Sequence, residues 1–224
     1  MTTKQYPGDP KSKKLKVVCV PCNTTWMSQL QNDSKDFLVP LLLGQNVSLH
    51  RRAQTLIATW ATMFTMVAER FDTNQKMISI PNQQLLTFKR IKRPPKGWKI
   101  WVAPTSVESN GTFSRSTVPV SANDKMPEKD ADGRDLPNTQ TTTLRIGKLL
   151  IHTFSSVHAG TVKRKSLSGV TQIWPIKRSP IYWADCPTVE KEGADVIAEW
   201  LPVNGRQKAA ELLKTGGDSF AKLR

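Results

Sequence analysis

The chain is poor in cysteine, histidine and tyrosine, with three, three and two in 224 residues. An odd, small number of cysteines does not make a disulfide framework. It points to thiols or a metal site in a reducing interior, and with no secretory leader the expected location is cytoplasmic. The histidines (His50, His152 and His158) are scattered and do not pair at metal-ligand spacing. No apolar run is long enough to span a bilayer. The strongest candidate, residues 53–68 between Arg52 and Glu69, falls short of the roughly 20 that a membrane core needs. There is no glycine-rich phosphate loop, no nucleophile elbow and no carboxylate pair assignable to one face, so an enzyme of those classes finds no support. Acid is missing from two long windows, 73–107 and 136–184.

What fills those windows is positive charge. The whole chain carries 33 Lys and Arg against 18 Asp and Glu, a net charge of +15. The first window holds Lys76, Lys89, Arg90, Lys92, Arg93, Lys96 and Lys99. The second holds Arg145, Lys148, Lys163, Arg164, Lys165, Lys177 and Arg178. Clustered cations of this kind suit phosphate, so the expected partner is DNA or RNA, or a nucleoprotein complex, rather than a membrane. Lys89, Arg90, Lys92, Arg93, Lys96, Lys99, Lys163, Arg164 and Lys165 are the candidate nucleic-acid-binding residues. Trp98, Trp101 and Trp174 lie within or beside these runs. They are candidates either for stacking on bases or for the core. Trp98 and Trp101 are three apart, so a strand turns them to opposite faces.

The pattern of the remaining chain predicts an α+β fold. Leu49, Ala53, Leu56, Ile57, Trp60, Ala61, Phe64, Val67, Ala68 and Phe71 recur at helical steps, with Thr55, Thr59, Thr62 and Glu69 opposite. This predicts a long central amphipathic helix, N-capped by Ser48. A shorter helix over "DSKDFLVPLLLG" should be bent or shortened by Pro40 and capped by Gly44. Pro81 should open another helix through Phe88, and Pro94-Pro95 with Gly97 should force a turn. "WKIWVA", "STVPV", "TTTLRIGKLLIHTFSS" and "GVTQIWPI" read as strands of a mainly antiparallel sheet. Residues 121–140 read as a mobile surface loop, and Val189–Leu201 and Arg206–Lys214 as C-terminal helices. The division expected is a basic flexible N-terminus over 1–15, one α+β domain over 16–187 and a helical appendage over 188–224.

Two cysteines stand in "KLKVVCVPCNTTWMSQL" at a spacing associated with metal. This segment resembles the second half of the zinc knuckle of HNH-type endonucleases, where a strand delivers Cys-x-x-Cys-Asn and a helix follows. Cys19, Cys22, Asn23, Trp26, Met27 and Ser28, then "LIATWATM", "LRIGKLLIH" and "QIWPI", are similar to a group of HNH-like bacterial and phage proteins, from Lys16 to about Pro187. The resemblance implies an HNH-related body. The residues before Cys19 contain neither the other cysteine pair nor the histidine that activates water in those enzymes, so HNH cleavage is not expected. Cys19 and Cys22 then have three readings: thiols packed as small hydrophobes, zinc ligands completed by His50 or Cys186, or half of a site completed by another chain. No cofactor is expected, zinc being the one the pair admits. Two functions fit. One is a non-catalytic nucleic-acid-binding protein on an HNH-like scaffold, a pseudo-nuclease. The other is a phage-type effector or inhibitor that docks on a host nucleoprotein complex.

Overall fold

The computed structural model describes residues 17–70, 77–121, 126–158, 169–199 and 201. The fold is α+β, with helices packed on antiparallel sheet. The first helical segment runs from Cys19 without a break through α1 (Val20–Cys22), a π-helical turn (Asn23–Met27) and α2 (Ser28–Leu42). The widened turn coincides with two adjacent threonines. Thr24 and Thr25 donate their hydroxyls back to the Val20 and Pro21 carbonyls at 2.9 and 2.6 Å. The strand that the knuckle resemblance implies before Cys22 is replaced here by a helix beginning at Val20. Pro40 does not shorten α2. It falls in the last turn, and Gly44 takes the left-handed conformation beyond it (φ +70°).

Helix α3 spans Arg51–Glu69, and its cap differs from the sequence expectation. Ser48 lies in the short strand β1 (Ser48–Leu49), paired with Tyr182, and His50 is the N-cap, its Nδ1 accepting from the Ala53 amide at 3.3 Å. The apolar stripe is buried as expected, with Ala53, Ile57 and Ala61 packed among Leu38, Leu41, Ile100, Val102, Leu149 and Ile151. The opposite face, polar as expected, is not left to solvent. Thr59, Thr62 and Glu69 are buried too, because the threonine hydroxyls bond back to Thr55 and Ala58 carbonyls and Glu69 meets an ion-pair partner. Helix α4 follows over Asn82–Ile91, with Pro81 at its N-cap.

The sheet is built on one long pairing. Strand β2 (Lys99–Val118) runs antiparallel to β3 (Thr139–Ser156), from Lys99↔Phe154 to Val118↔Thr139. "WKIWVA" and "STVPV" are therefore the two ends of a single strand. Register shifts around Ser109 absorb the irregular middle that made them look separate. Gly147 lets this pairing pass under α2: a Cβ there would lie 2.3 Å from the Leu42 carbonyl oxygen, at φ +53°. Strand β4 (Thr171–Trp174) joins the other edge of β2, giving the order β3-β2-β4, while β5 (Ile181–Tyr182) pairs with β1. The segment expected as a loop to residue 140 ends earlier, since Thr139 and Gln140 are buried β3 residues. Asp130 organises a turn within that segment, its carboxylate accepting from the amides of Asp132 and Arg134 at 2.9 Å. Helix α5 covers Lys191–Ala198, shorter than predicted. Its Ala194 and Ile197, with Val189 and Leu201, pack on Trp101, Val118, Leu150 and Phe154. The second C-terminal helix, Arg206–Lys214, lies outside the described residues.

Candidate nucleic-acid interface and thiol site

Helix α4 buries Phe88 and ends on cations. Lys89 and Arg90 occupy its last turn, where the helix dipole favours positive charge. The chain then reverses at Lys92, the one non-glycine residue with positive φ among the described residues (φ 51°, ψ 39°), whose amide bonds to the Phe88 carbonyl at 2.9 Å. Pro94 and Pro95 are buried beneath the turn, and Gly97 (φ +91°) leads into β2. The result is a ridge on which Lys89, Arg90, Lys92, Arg93 and Lys96 are all exposed. Lys99 is half-buried, because it already belongs to β2.

The pairing of β2 with β4 extends this ridge. Ile100 faces Trp174 in an antiparallel register, so the chain before Ile100 runs beside the chain after Trp174. That places the exposed Lys177 and Arg178 at the same end of the sheet as Lys96. Helix α3 ties both segments down. Gln54 Nε2 donates to the Arg178 carbonyl at 3.0 Å, and Thr59 Oγ1 to the Lys92 carbonyl at 3.4 Å. Arg51 and Arg52, both exposed, begin the same helix. Lys163, Arg164 and Lys165 lie outside the described residues. The sequence places Lys177 and Arg178 in the second acid-free window but marks neither them nor Arg51 and Arg52 as candidates, since only β-pairing and two side-chain-to-backbone bonds bring them near the 89–99 run.

Two of the three candidate tryptophans are core residues. Trp98 and Trp101 do face opposite sides of the sheet, and both are buried, at 1% and 0% exposure. Trp98 joins Met27, Met63 and Phe88, and its Nε1 donates to Gln84 Oε1 at 2.7 Å; Trp101 joins the cluster under α5. Trp174 is half-buried against the core.

The cysteine pair lies beside the basic ridge. Cys19 is the N-cap residue of the helical segment, exposed, and Cys22 closes its first turn, half-buried. Both are free thiols, and the reading of the pair as small hydrophobes packed inside fails at Cys19. The neighbouring Cys19 thiol, helped by the Trp26 indole and then by the charge of Lys89, holds the Cys22 thiol below its ordinary pKa. Lys92 folds back so that its Nζ sits 3.9 Å from the centre of the Trp26 ring and also donates to the Lys89 carbonyl. Partial burial in this position lowers the Lys92 ammonium below the usual lysine value, and the neighbouring Cys22 opposes that shift.

The residues proposed to complete a zinc site are engaged elsewhere. His50 caps α3 and packs edge-on against Phe37, with ring centres 5.5 Å apart. Cys186 is buried in the main core beside Trp183, where burial raises its pKa. Among the described residues, no group of three or more His, Cys, Asp or Glu side chains is arranged to hold a metal ion. Two thiolates alone do not close a tetrahedral structural site. Purified protein is therefore expected to carry well under one zinc per chain, with little loss of stability on chelation. Elemental analysis showing stoichiometric zinc that disappears in Cys19→Ser would reverse that expectation.

No protein-family model matches the chain, and neither does any curated protein or solved structure. No helix among the described residues is long and apolar enough to cross a membrane.

Proposed function

We propose that this protein binds nucleic acid through its basic ridge and does not itself cut the strand. The observation that carries this reading is the convergence of exposed cations from three separate segments. Lys89 to Lys96, Lys177 with Arg178, and Arg51 with Arg52 sit around the N-terminal half of α3 with the nearest chain ties made to helix side chains. A surface of this kind raises the local potential and releases counterions when it meets phosphate, which gives affinity without base-specific contacts. The reading as a binder rather than a nuclease rests on His50. Its Nδ1 is committed to the α3 cap, and among the described residues no acidic side chain pairs with it. The buried tryptophans favour contacts to the backbone over stacking on bases.

Fluorescence anisotropy with short labelled single- and double-stranded DNA and RNA, over a series of salt concentrations, tests the proposal. The expected result is a Kd of about 1–100 μM near physiological salt that tightens steeply as salt falls. Failure to bind any of these oligonucleotides at low salt would overturn it. That outcome would leave the protein–protein effector reading, in which the ridge meets an acidic surface of a partner.

A further inference from the structure

We infer that Cys19 and Cys22 form a redox-active dithiol that exchanges electrons with an anionic low-molecular-weight disulfide. The argument begins with placement. Cys-x-x-Cys occupies the first turn of a helix, with Pro21 between the cysteines fixing the backbone, and both thiols are free and stand one helical turn apart. One sulfur is exposed and the other half-buried, so a small disulfide can reach the pair while the second thiol stays close enough to resolve the first bond. The surroundings are cationic and apolar at once. Lys89 and Lys92 are charged neighbours of Cys22, and Cys22 forms part of the wall of a cleft of about 180 Å³ shared with Val18, Trp26, Met63, Met66 and Phe88.

The remaining cysteine makes the contrast. Cys186 is 6% exposed, packed in the core, with its Sγ against the Tyr182 carbonyl at 3.6 Å. It has neither access nor a second thiol. The pair at the start of α1 has both, and it lies next to the only non-glycine left-handed residue among the described residues, Lys92, whose turn is what brings the lysine amine over Trp26. This inference does not depend on nucleic-acid binding.

The exchange balances in two steps. The Cys22 thiolate attacks one sulfur of the external disulfide R–S–S–R, forming Cys22–S–S–R and expelling RS⁻, which takes up a proton. Cys19 releases its proton to solvent and attacks the Cys22 sulfur, forming the Cys19–Cys22 disulfide and expelling the second RS⁻, which is protonated in turn. The dithiol loses two electrons and the external disulfide gains them, leaving two molecules of RSH. The two cysteine sulfurs, one helical turn apart in the dithiol, close to about 2.05 Å.

The experiment equilibrates the intact chain with mixtures of reduced and oxidised glutathione, from strongly reducing to strongly oxidising. The free thiols are then alkylated and counted by mass spectrometry. The expected result is a single transition in which two thiols per chain disappear together into a Cys19–Cys22 disulfide, while Cys186 alkylates only after denaturation. Cys19→Ser should instead retain one glutathione on Cys22. Replacing Lys89 and Lys92 by Gln should slow exchange with oxidised glutathione at low salt by about threefold or more, and leave exchange with the cationic disulfide cystamine unslowed. Independent alkylation of the two cysteines at every mixture would overturn the inference, as would glutathione adducts as the end product in the unsubstituted chain. Thiols protected by stoichiometric bound metal would also overturn it. Equal slowing of both disulfides in the lysine variant would remove the assignment to an anionic substrate.

Discussion

Replacing Glu69 by Ala is expected to destabilise the protein by about 3–5 kcal/mol, the range for leaving one partner of a buried ion pair alone. Glu69 ends α3 with no exposed surface, and its Oε1 lies 2.9 Å from Nη2 of Arg115, whose side chain is itself 8% exposed. The carboxylate does more than neutralise the guanidinium. It accepts from the Ser79 amide and hydroxyl at 2.8 Å each and from the Ile80 amide at 3.3 Å, and Arg115 also donates to the Met77 carbonyl. One acidic side chain thus ties the end of α3, the last residues of β2 and the segment leading into α4. Alanine would remove this ion pair and leave two backbone amides without their acceptor in the interior. For a chain of this size the loss corresponds to a drop in Tm of about 6–20 °C. Thermal and denaturant unfolding of Glu69→Ala should show it. The double variant Glu69→Leu with Arg115→Leu should recover part of the loss, because no unpaired charge remains. A drop in Tm of under 2 °C for the single variant would mean that water or a rearranged Arg115 satisfies the site.

That carboxylate also marks where sequence reading stops. Its helical spacing is legible, and the periodicity of α3 gave the buried stripe correctly because a 3.6-residue repeat of apolar side chains depends on local geometry alone. On the other face Thr59 and Thr62 satisfy their hydroxyls within the helix, but the burial of Glu69 and Thr65 depends on partners that no local pattern contains. Arg115 is 46 residues away, and Thr65 shares a 2.9 Å hydroxyl contact with Thr153, 88 residues away. The same holds for the site. The cations of 89–99 and the turn at Pro94-Pro95 could be read directly, since proline fixes its own φ and glycine opens angles closed to other residues wherever they occur. That Lys177 and Arg178 join them needed the register of β4 on β2. The Cys-x-x-Cys spacing was visible too. Its placement on a helical turn instead of a strand follows from the residues after it, Asn23 to Met27, where threonine hydroxyls bond back to the preceding carbonyls. Trp98 and Trp101 show the limit from the other direction. Their opposite orientation could be predicted from a period of two, but both sides of this sheet are covered, so opposite faces did not mean one face in water.

Changing Arg90, Arg93 and Lys96 together to Ala is expected to flatten the salt dependence of nucleic-acid binding by about 2–3 units of log Kd per log salt. Each phosphate neutralised releases counterions and contributes about 0.7–0.9 to that slope, so three cations set the ceiling. These three are chosen because they are exposed on the ridge and take no part in the thiol site. Lys92 is left in place, since its amine packs on Trp26 and its backbone caps α4. The substitutions remove charge without opening a cavity, and exposed charges contribute little to folding, so Tm should move by no more than about 2 °C. A fall in slope with unchanged Tm therefore separates lost binding from lost structure. If the slope stays at its original value, Arg51, Arg52, Lys177 and Arg178 carry the phosphate contacts. The same triple substitution made at Arg52, Lys177 and Arg178 should then flatten the slope instead. Both triple variants binding as the unsubstituted protein does would exclude the whole ridge as the interface.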